Sequence, residues 1–461
     1  MSKEKKFAPP SEILQESETF LREHPDLKWI EGFIFDINGI PRGKWLPAGA
    51  AHKLLKGGLQ MPRSAVSLDV WGRDIENSPL VFASGDADGI CTPVSPISLA
   101  PWHREETAQL HMQLREADGS PLYADPRAQL QRVVVRLKEL GYTAVAATEL
   151  EFYLLREEAD HLARPRPVSD NDTELVPSTD VYDLSELDAQ RHFFADVRAA
   201  CGSQGIPADS ILSECAPGQF EINLLHSADP VKVADQTLLF KRLLKGVARS
   251  HGYRVSTMAK PFGDQAGNGM HVHLSLLDEN GKNVFDDGSD AGSEQLRQAI
   301  AGMLVTANDA MAFFAPHSNS YRRFQESSHA PLNLCWGYDN RTTTLRVPAS
   351  SPDARRIEHR IAGADVNPYL VLAAILAGAC YGLENTLQAP APVEGDAYQV
   401  ESEQLVNTWG AALQRFEHSQ LWQEYLDPRF VEIFVLLKRQ EIAEIGARIT
   451  DVEYQSYLHR V

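Results

Sequence analysis

The sequence predicts an α+β protein: a small β-rich N-terminal unit, then a larger unit in which an antiparallel sheet is interleaved with helices. Three observations predict it. Residues 29–123 carry short apolar stretches separated by turn residues, beginning with WIEGFIFDINGIPRGKWLP, where an Asn38-Gly39 turn joins a strand to its return. From Asp125-Pro126 onward, stretches with a period of two alternate with long stretches at helical spacing. Short turns between strands favour antiparallel pairing, because a parallel crossover needs a dozen or more residues.

Taken in order, the chain starts with a polar tether, residues 1–27. Pro9-Pro10 precede Ser11, a candidate N-cap for a short helix to about residue 21. The β-rich unit, 28–123, is expected to continue through strands at 66–70 and 80–83 and a second hairpin in LHMQLREADGSPLY. The large unit, 124–461, opens with the helix PRAQLQRVVVRLKELG, which stops at Gly141. Strands are then expected at 143–155, 211–215, 220–224, 270–276, 342–347 and 356–361. Helices are expected at 187–204, 230–251, 293–314 and 368–387. Segments 156–179 and 388–401 are long enough to be functional loops.

A chain of 461 residues, 43% of them hydrophobic, can bury a full core. Lys and Arg number 44 against 63 Asp and Glu, a net charge of −19, which argues against nucleic acid or an anionic membrane as partner. Five cysteines, an odd number with no CxxC pair, indicate neither a disulfide framework nor a zinc ribbon. The longest apolar run, near 371–383, is too short to span a bilayer, and the first residues contain no apolar signal core. A cytoplasmic protein is expected.

The chemistry concentrates on a few strands. In KPFGDQAGNGMHVHLS, residues 260–275, the Gly-, Asp- and Asn-rich half reads as a loop whose amides approach a ligand closely. The strand that follows puts His271, His273 and Ser275 on one face. Alternation likewise places Glu149 with Glu151, and Arg356 with Glu358 and Arg360. A Pro-Gly turn between Glu214 and Glu221 allows a hairpin to bring those two carboxylates together. Five carboxylates with one imidazole suit Mg²⁺ or Mn²⁺, and two ions are expected, since unpaired buried carboxylates are costly. Arg322, Arg323, Arg341, Arg346, Arg356 and Arg360 add forked donors of the kind phosphoryl transfer uses. Neither a Walker A loop nor an internal repeat is present.

In this order the motifs resemble those of the glutamine synthetase family: ExE, E-x-APGQ-x-E, KP-x-GD before GMHxH, NSYxR, an arginine pair and RRIExR. The resemblance extends to Asn367-Pro368-Tyr369-Leu370 and covers nearly the whole chain. It implies a β-grasp-like N-terminal domain and a glutamine-synthetase-type catalytic domain that binds ATP and glutamate. By motif position, Glu151, Glu214 and Glu221 would hold one metal, and Glu149, His271 and Glu358 the metal nearer the nucleotide. Arg323, Arg360 and Gly267 would bind glutamate, Arg341 and Arg346 would stabilise the transferring phosphoryl group, and His273, Ser275 and Arg356 would bind ATP. A homo-oligomer, two stacked hexameric rings, is also implied.

Departures from the family pattern point to the second substrate. Met61-Pro62-Arg63-Ser64-Ala65-Val66-Ser67 replaces an aspartate-bearing segment, and His329 replaces the flap glutamate before Ala330-Pro331. Both changes fall in the ammonium site. The pattern resembles the γ-glutamylpolyamine or γ-glutamylamine branch, with Leu332, Leu334 and Trp336 as candidate lining for an amine. An ammonium-using glutamine synthetase and a catalytically silent relative are the competing readings. Asp353 stands where a basic residue is common, and Tyr398 lacks the context of an adenylylation site.

Overall fold

The computed structural model describes residues 10–103, 105–157, 165–168 and 181–461, and it contains two sheets. The first is built from β1 (Trp29–Phe35), β2 (Pro41–Pro47), β3 (Leu59–Pro62), β4 (Asp88–Pro93), β5 (Ser98–Leu99) and β6 (Thr107–Arg115). Its order is β2-β1-β6-β4-β3, with β5 also on β6. β1 and β2 form the expected hairpin, Trp29 opposite Pro47, closed where the Asp36 N–H donates to the Ile40 carbonyl. β1 and β6 run parallel.

Two expected strands are absent. Residues 63–66 form a 3₁₀ turn and 80–83 lie in turns, yet Val66, Leu80 and Val81 are buried. Their apolar character reports burial beneath loops, and the pairing is carried by β3 and β4. The second hairpin is reduced to one bridge, Arg115 to Pro121. Ser11 is the first residue of the helix Ser11–Glu23, and the cap position is Pro10, which offers no side-chain acceptor.

The second sheet comprises β7 (Thr143–Arg156), β8 (Ala208–Ser213), β9 (Gln219–Leu224), β10 (Tyr253–Ser256), β11 (Met270–Leu277), β12 (Trp336–Tyr338), β13 (Leu345–Val347) and β14 (Ile357–His359). Its order is β12-β13-β14-β11-β7-β9-β8, with β10 beside β7. Every pair is antiparallel except β12–β13. β10 and β12, at four and three residues, are too short to display a period. The helix expected at 187–204 is two helices, Leu184–Ala189 and Arg191–Ser203, broken at Gln190.

Four helices begin with the same device. Asp125, Asp229, Asn367 and Asp427 each accept the backbone N–H two residues on, and each is followed by proline. The last of these starts Pro428–Gly446, one of four C-terminal helices beyond the sequence expectation. The nearly all-buried helix Pro368–Glu384 crosses Glu294–Phe314 so closely that a Cβ on Gly302 would lie 2.1 Å from the Gly378 carbonyl oxygen. Among the described residues, no helix is long and apolar enough to cross a membrane.

The site is positioned by the two faces of β7. Ala144, Ala146, Thr148, Leu150 and Phe152 are buried, and the helices Pro126–Glu139 and Pro230–Ser250 pack on this strand. Val145, Ala147, Glu149 and Glu151 alternate with them and remain partly open.

Candidate active site

Register assembles the charged groups. β11 places His271 opposite Glu149, and β9 places Glu221 opposite Glu151. On the other side of β11, His273 pairs with Glu358, which pairs with Arg346 on β13. Directly opposite residues of an antiparallel pair share a face, so these side chains converge. Two triads result: Glu149, His271 and Glu358, and Glu151, Glu221 and His271, with the ligand atoms of each within 4.8 Å of one another. His271 belongs to both. Glu214 joins neither triad, although it lies close enough for Glu151 and Glu214 to act on each other electrostatically.

The electrostatics separate the carboxylates. Burial favours the neutral form of Glu149, but hydrogen bonds from His271 (3.1 Å) and His273 (2.7 Å) hold it well below the usual carboxylate range. Burial is likewise outweighed at Glu358, lowered to about 2, chiefly by Arg360. Arg346 donates to the same carboxylate at 2.8 Å, and Arg360 bonds its other oxygen. At Glu221, burial and then Glu149, Glu151 and Glu214 raise the pKa to about 10. At Glu214, burial and Glu151 raise it to about 7. The β9 side of the cluster is therefore short of positive charge. A divalent cation would supply that charge, and oxygen donors with one imidazole are the set that Mg²⁺ or Mn²⁺ accepts.

His273 is held at both ring nitrogens. Arg356 can only donate, and its Nε lies 3.2 Å from Nδ1, so Nδ1 is the acceptor and Nε2 carries the proton given to Glu149. Ser275 Oγ donates to the Arg355 carbonyl. His273, Ser275 and Arg356 border a cavity of about 810 Å³ that also touches Glu149, Asn223 and Asp353.

The Gly-rich loop and Arg323 lie beside the Glu151 and His271 side chains, where a Cβ on Gly269 would meet all three residues within 3.2 Å. Arg323 is buried in the 3₁₀ turn Ser320–Arg323 and donates to the Ile361 carbonyl at 2.8 Å. Gly267 packs against it: a Cβ there would lie 2.6 Å from the Ala259 carbonyl oxygen and 2.9 Å from Arg323 Cγ. The Gly269 N–H donates to Glu151 at 2.6 Å. Gln219 and Asn319, present in the sequence as members of the APGQ and NSYxR motifs but given no role there, hold this loop. Gln219 donates to the Gly267 carbonyl and to Asn268, and Asn319 bonds both the N–H and the carbonyl of Lys260. Gln219 alternates with Glu221 on β9, a signal available in the sequence.

Three residues stand apart. Arg341 is exposed in the turn before β13, where its charge helps to lower Asp339. His329 is exposed in the segment before Ala330, with φ +57°. Trp336 is fully buried, with its indole N–H bonded to the Pro390 carbonyl, so it belongs to the core and not to an amine pocket.

Fold and site together bring carboxylates, histidines and arginines into one cluster with two groups of side chains that could hold a metal ion. The chain belongs to the glutamine synthetase family, whose catalytic domain matches residues 123–457 and whose members use ATP and divalent metals. It is 34% identical over 451 residues to gamma-glutamylputrescine synthetase of Escherichia coli K12, covering 96% of this chain and 94% of that one. It is also 34% identical over 436 residues to glutamate–isopropylamine ligase of a Pseudomonas species, covering 92% and 93%. A solved GmaS/ADP complex superposes with a TM-score of 0.82 at 26% identity, over 96% of this chain and 99% of that chain.

Proposed function

We propose that the protein is an ATP-dependent ligase that joins the γ-carboxylate of glutamate to an organic amine. ATP would phosphorylate the γ-carboxylate; the amine nitrogen would attack the resulting acyl phosphate, releasing phosphate and leaving a γ-glutamylamide and ADP. Similarity along nearly the full chain to enzymes named for putrescine and isopropylamine supports this reading. The observation that carries it is His329. The position that would offer ammonium a carboxylate holds an exposed imidazole, which carries no negative charge to attract a small cation.

In this reading Glu149, His271 and Glu358 hold one metal, and Glu151 and Glu221 with Glu214 hold another, His271 lying between the two sets. Bound there, Mg²⁺ or Mn²⁺ supplies positive charge to the phosphate oxygens. Arg356, with His273 and Ser275, orients the nucleotide in the 810 Å³ cavity. Arg323 and Arg360, with Gly267 at the amino end, grip glutamate. Arg346 and Arg341 face the transferring phosphoryl group, Arg341 closing in from its exposed turn. The division at residues 123/124 and a dodecamer of two hexameric rings belong to the same reading.

The deciding experiment measures phosphate release with glutamate, ATP and Mg²⁺ while the amine is varied. Putrescine is expected to lead, because a dication suits an acidic protein, with short alkylamines next and ammonium last. Ammonium as the best substrate would overturn the reading.

A further inference from the structure

We propose that a second cavity, between the β1–β2 turn and the helix Pro230–Ser250, binds a small multivalent anion bearing phosphate or carboxylate groups. This cavity, about 670 Å³, shares no lining residue with the 810 Å³ cavity beside Glu149. Lys241, Lys245 and Arg249 line it. Their spacing of four puts them on one stripe of the helix, where like charges repel and weaken the helix. Such an arrangement needs compensation, and the protein provides little: among the described residues none of the three forms an ion pair, and of the three Asp365 acts only on Lys241, from a distance. Lys241 donates only to the carbonyls of Ala364 and Val366. Arg242, the fourth cation of the lining, is already taken by Glu31.

The contrast with the rest of the chain is informative. In a protein with 63 acidic and 44 basic residues, carboxylates are abundant, yet among the described residues Asp365 is the single acid in this lining. Asp365 is fully enclosed, and one of its oxygens, Oδ1, has no hydrogen-bond partner. Burial raises its pKa, so it neutralises the lysines poorly. Burial and then Lys245 lower Lys241 to about 7. A bound anion would relieve these pressures, because it brings negative charge to three side chains of one helix stripe and cancels their repulsion. Three cations on one wall call for more than one negative charge.

Occupancy has a route to the reaction. Asn319 also lines this cavity, and it clamps Lys260, where the loop carrying Gly267 begins. Anion binding would shift the loop and with it the KM for glutamate. That coupling rests on the proposed ligase reading; the binding itself does not.

The test is calorimetry on the full-length protein, without metal and at constant ionic strength, with inorganic pyrophosphate in one arm and citrate in the other. Lys245→Gln combined with Arg249→Gln is the comparison, since both side chains reach solvent and their replacement should leave the fold intact. Saturable binding of one anion per chain is expected, weakened at least ~10-fold in the double variant with ADP affinity unchanged. The stronger arm identifies the anion class. Equal affinity in both proteins, or no saturable binding, would overturn the site. If binding holds but the glutamate KM does not respond to the anion, the coupling is wrong. A protein that binds the anion but ligates no amine would retain this site and lose the proposed reaction.

Discussion

Tyr398 Oη donates a 2.9 Å hydrogen bond to the carbonyl oxygen of Ala330, tying the 3₁₀ turn Ala397–Gln399 to the segment that carries His329. Ser327 and His329 both sit in the left-handed region, at φ +61° and +57°, which costs non-glycine residues about 1 kcal/mol or more each. The same turn is held to the Arg341 segment, where Ala397 N–H donates to Thr342. We expect Tyr398→Phe to release this latch, raising the amine KM about 2- to 10-fold, the scale of one hydrogen bond, with kcat little changed. Equal loss of kcat for every amine, without a change in KM, would contradict a latch acting on the amine side.

Arg346 and Arg341 should respond differently to replacement. Arg346 bonds the buried Glu358, whereas Arg341 is exposed. Alanine at either position is expected to lower kcat by ~10²-fold or more if each stabilises the transferring group. Only Arg346→Ala should also lower the melting temperature, by the equivalent of about 1–3 kcal/mol, since Glu358 keeps Arg360 but loses one partner. Near-normal turnover in Arg341→Ala would remove it from the chemistry.

Metal should reverse a pH dependence. Glu221, raised to about 10, and Glu214, raised to about 7, bind protons more tightly in the folded protein than in the unfolded chain, where glutamate titrates near ~4.3. Their contribution is therefore complete below pH ~4.3 and is lost as pH climbs through those folded values. Glu149 and Glu358 are shifted the other way, so their contribution is already complete above that pH and stays constant. Thermal melts between about pH 5 and 8 should show stability falling with pH in chelator, and flat or rising with Mn²⁺, which favours the ionised cluster. Parallel slopes with and without metal would contradict the two-metal reading.

Gly267→Ala tests the glutamate wall. The added Cβ meets a backbone oxygen at 2.6 Å and must displace either the loop or Arg323. Glutamate KM is expected to rise at least ~10-fold, with ADP binding preserved, since misplacing a binding group by about 1 Å is costly. An unchanged glutamate KM would show that the loop yields without moving Arg323.

His329→Glu addresses the amine directly. Restoring a carboxylate should raise kcat/KM for ammonium relative to putrescine by ~10-fold or more, the effect of an added charge partner. Measuring both substrates on both proteins separates this from a general gain. No change in the ratio would place the discrimination elsewhere, for instance at Leu332 or Leu334.

Much of the chemistry was legible because strands have a period of two. Glu149 with Glu151, and His271 with His273, could be assigned to shared faces of β7 and β11 from their own spacing alone. Helix starts were legible for an equally local reason, the Asx-Pro cap. Asp427-Pro428 carried that signal as plainly as Asp125-Pro126, and the C-terminal helices were missed although it was there. The long segment expected at 156–179 lies mostly outside the described residues.

Tertiary structure alone decided how these faces meet. The sharing of His271 by two triads and the capture of Glu358 by Arg346 and Arg360 follow from the registers of β7, β11, β13 and β14. Those registers join residues as much as 211 positions apart, between Thr148 and His359 by way of Val272, where no local period reaches. The apolar runs at 66–70 and 80–83 read as strands because burial under a loop and burial in a sheet select the same side chains. Trp336 was expected beside the substrate and lies in the core, since an aromatic residue in a three-residue strand carries no sign of which face it takes. Local spacing determined the chemistry each strand presents; long-range pairing determined which of those groups share one site, because register is set by the packing of the whole sheet.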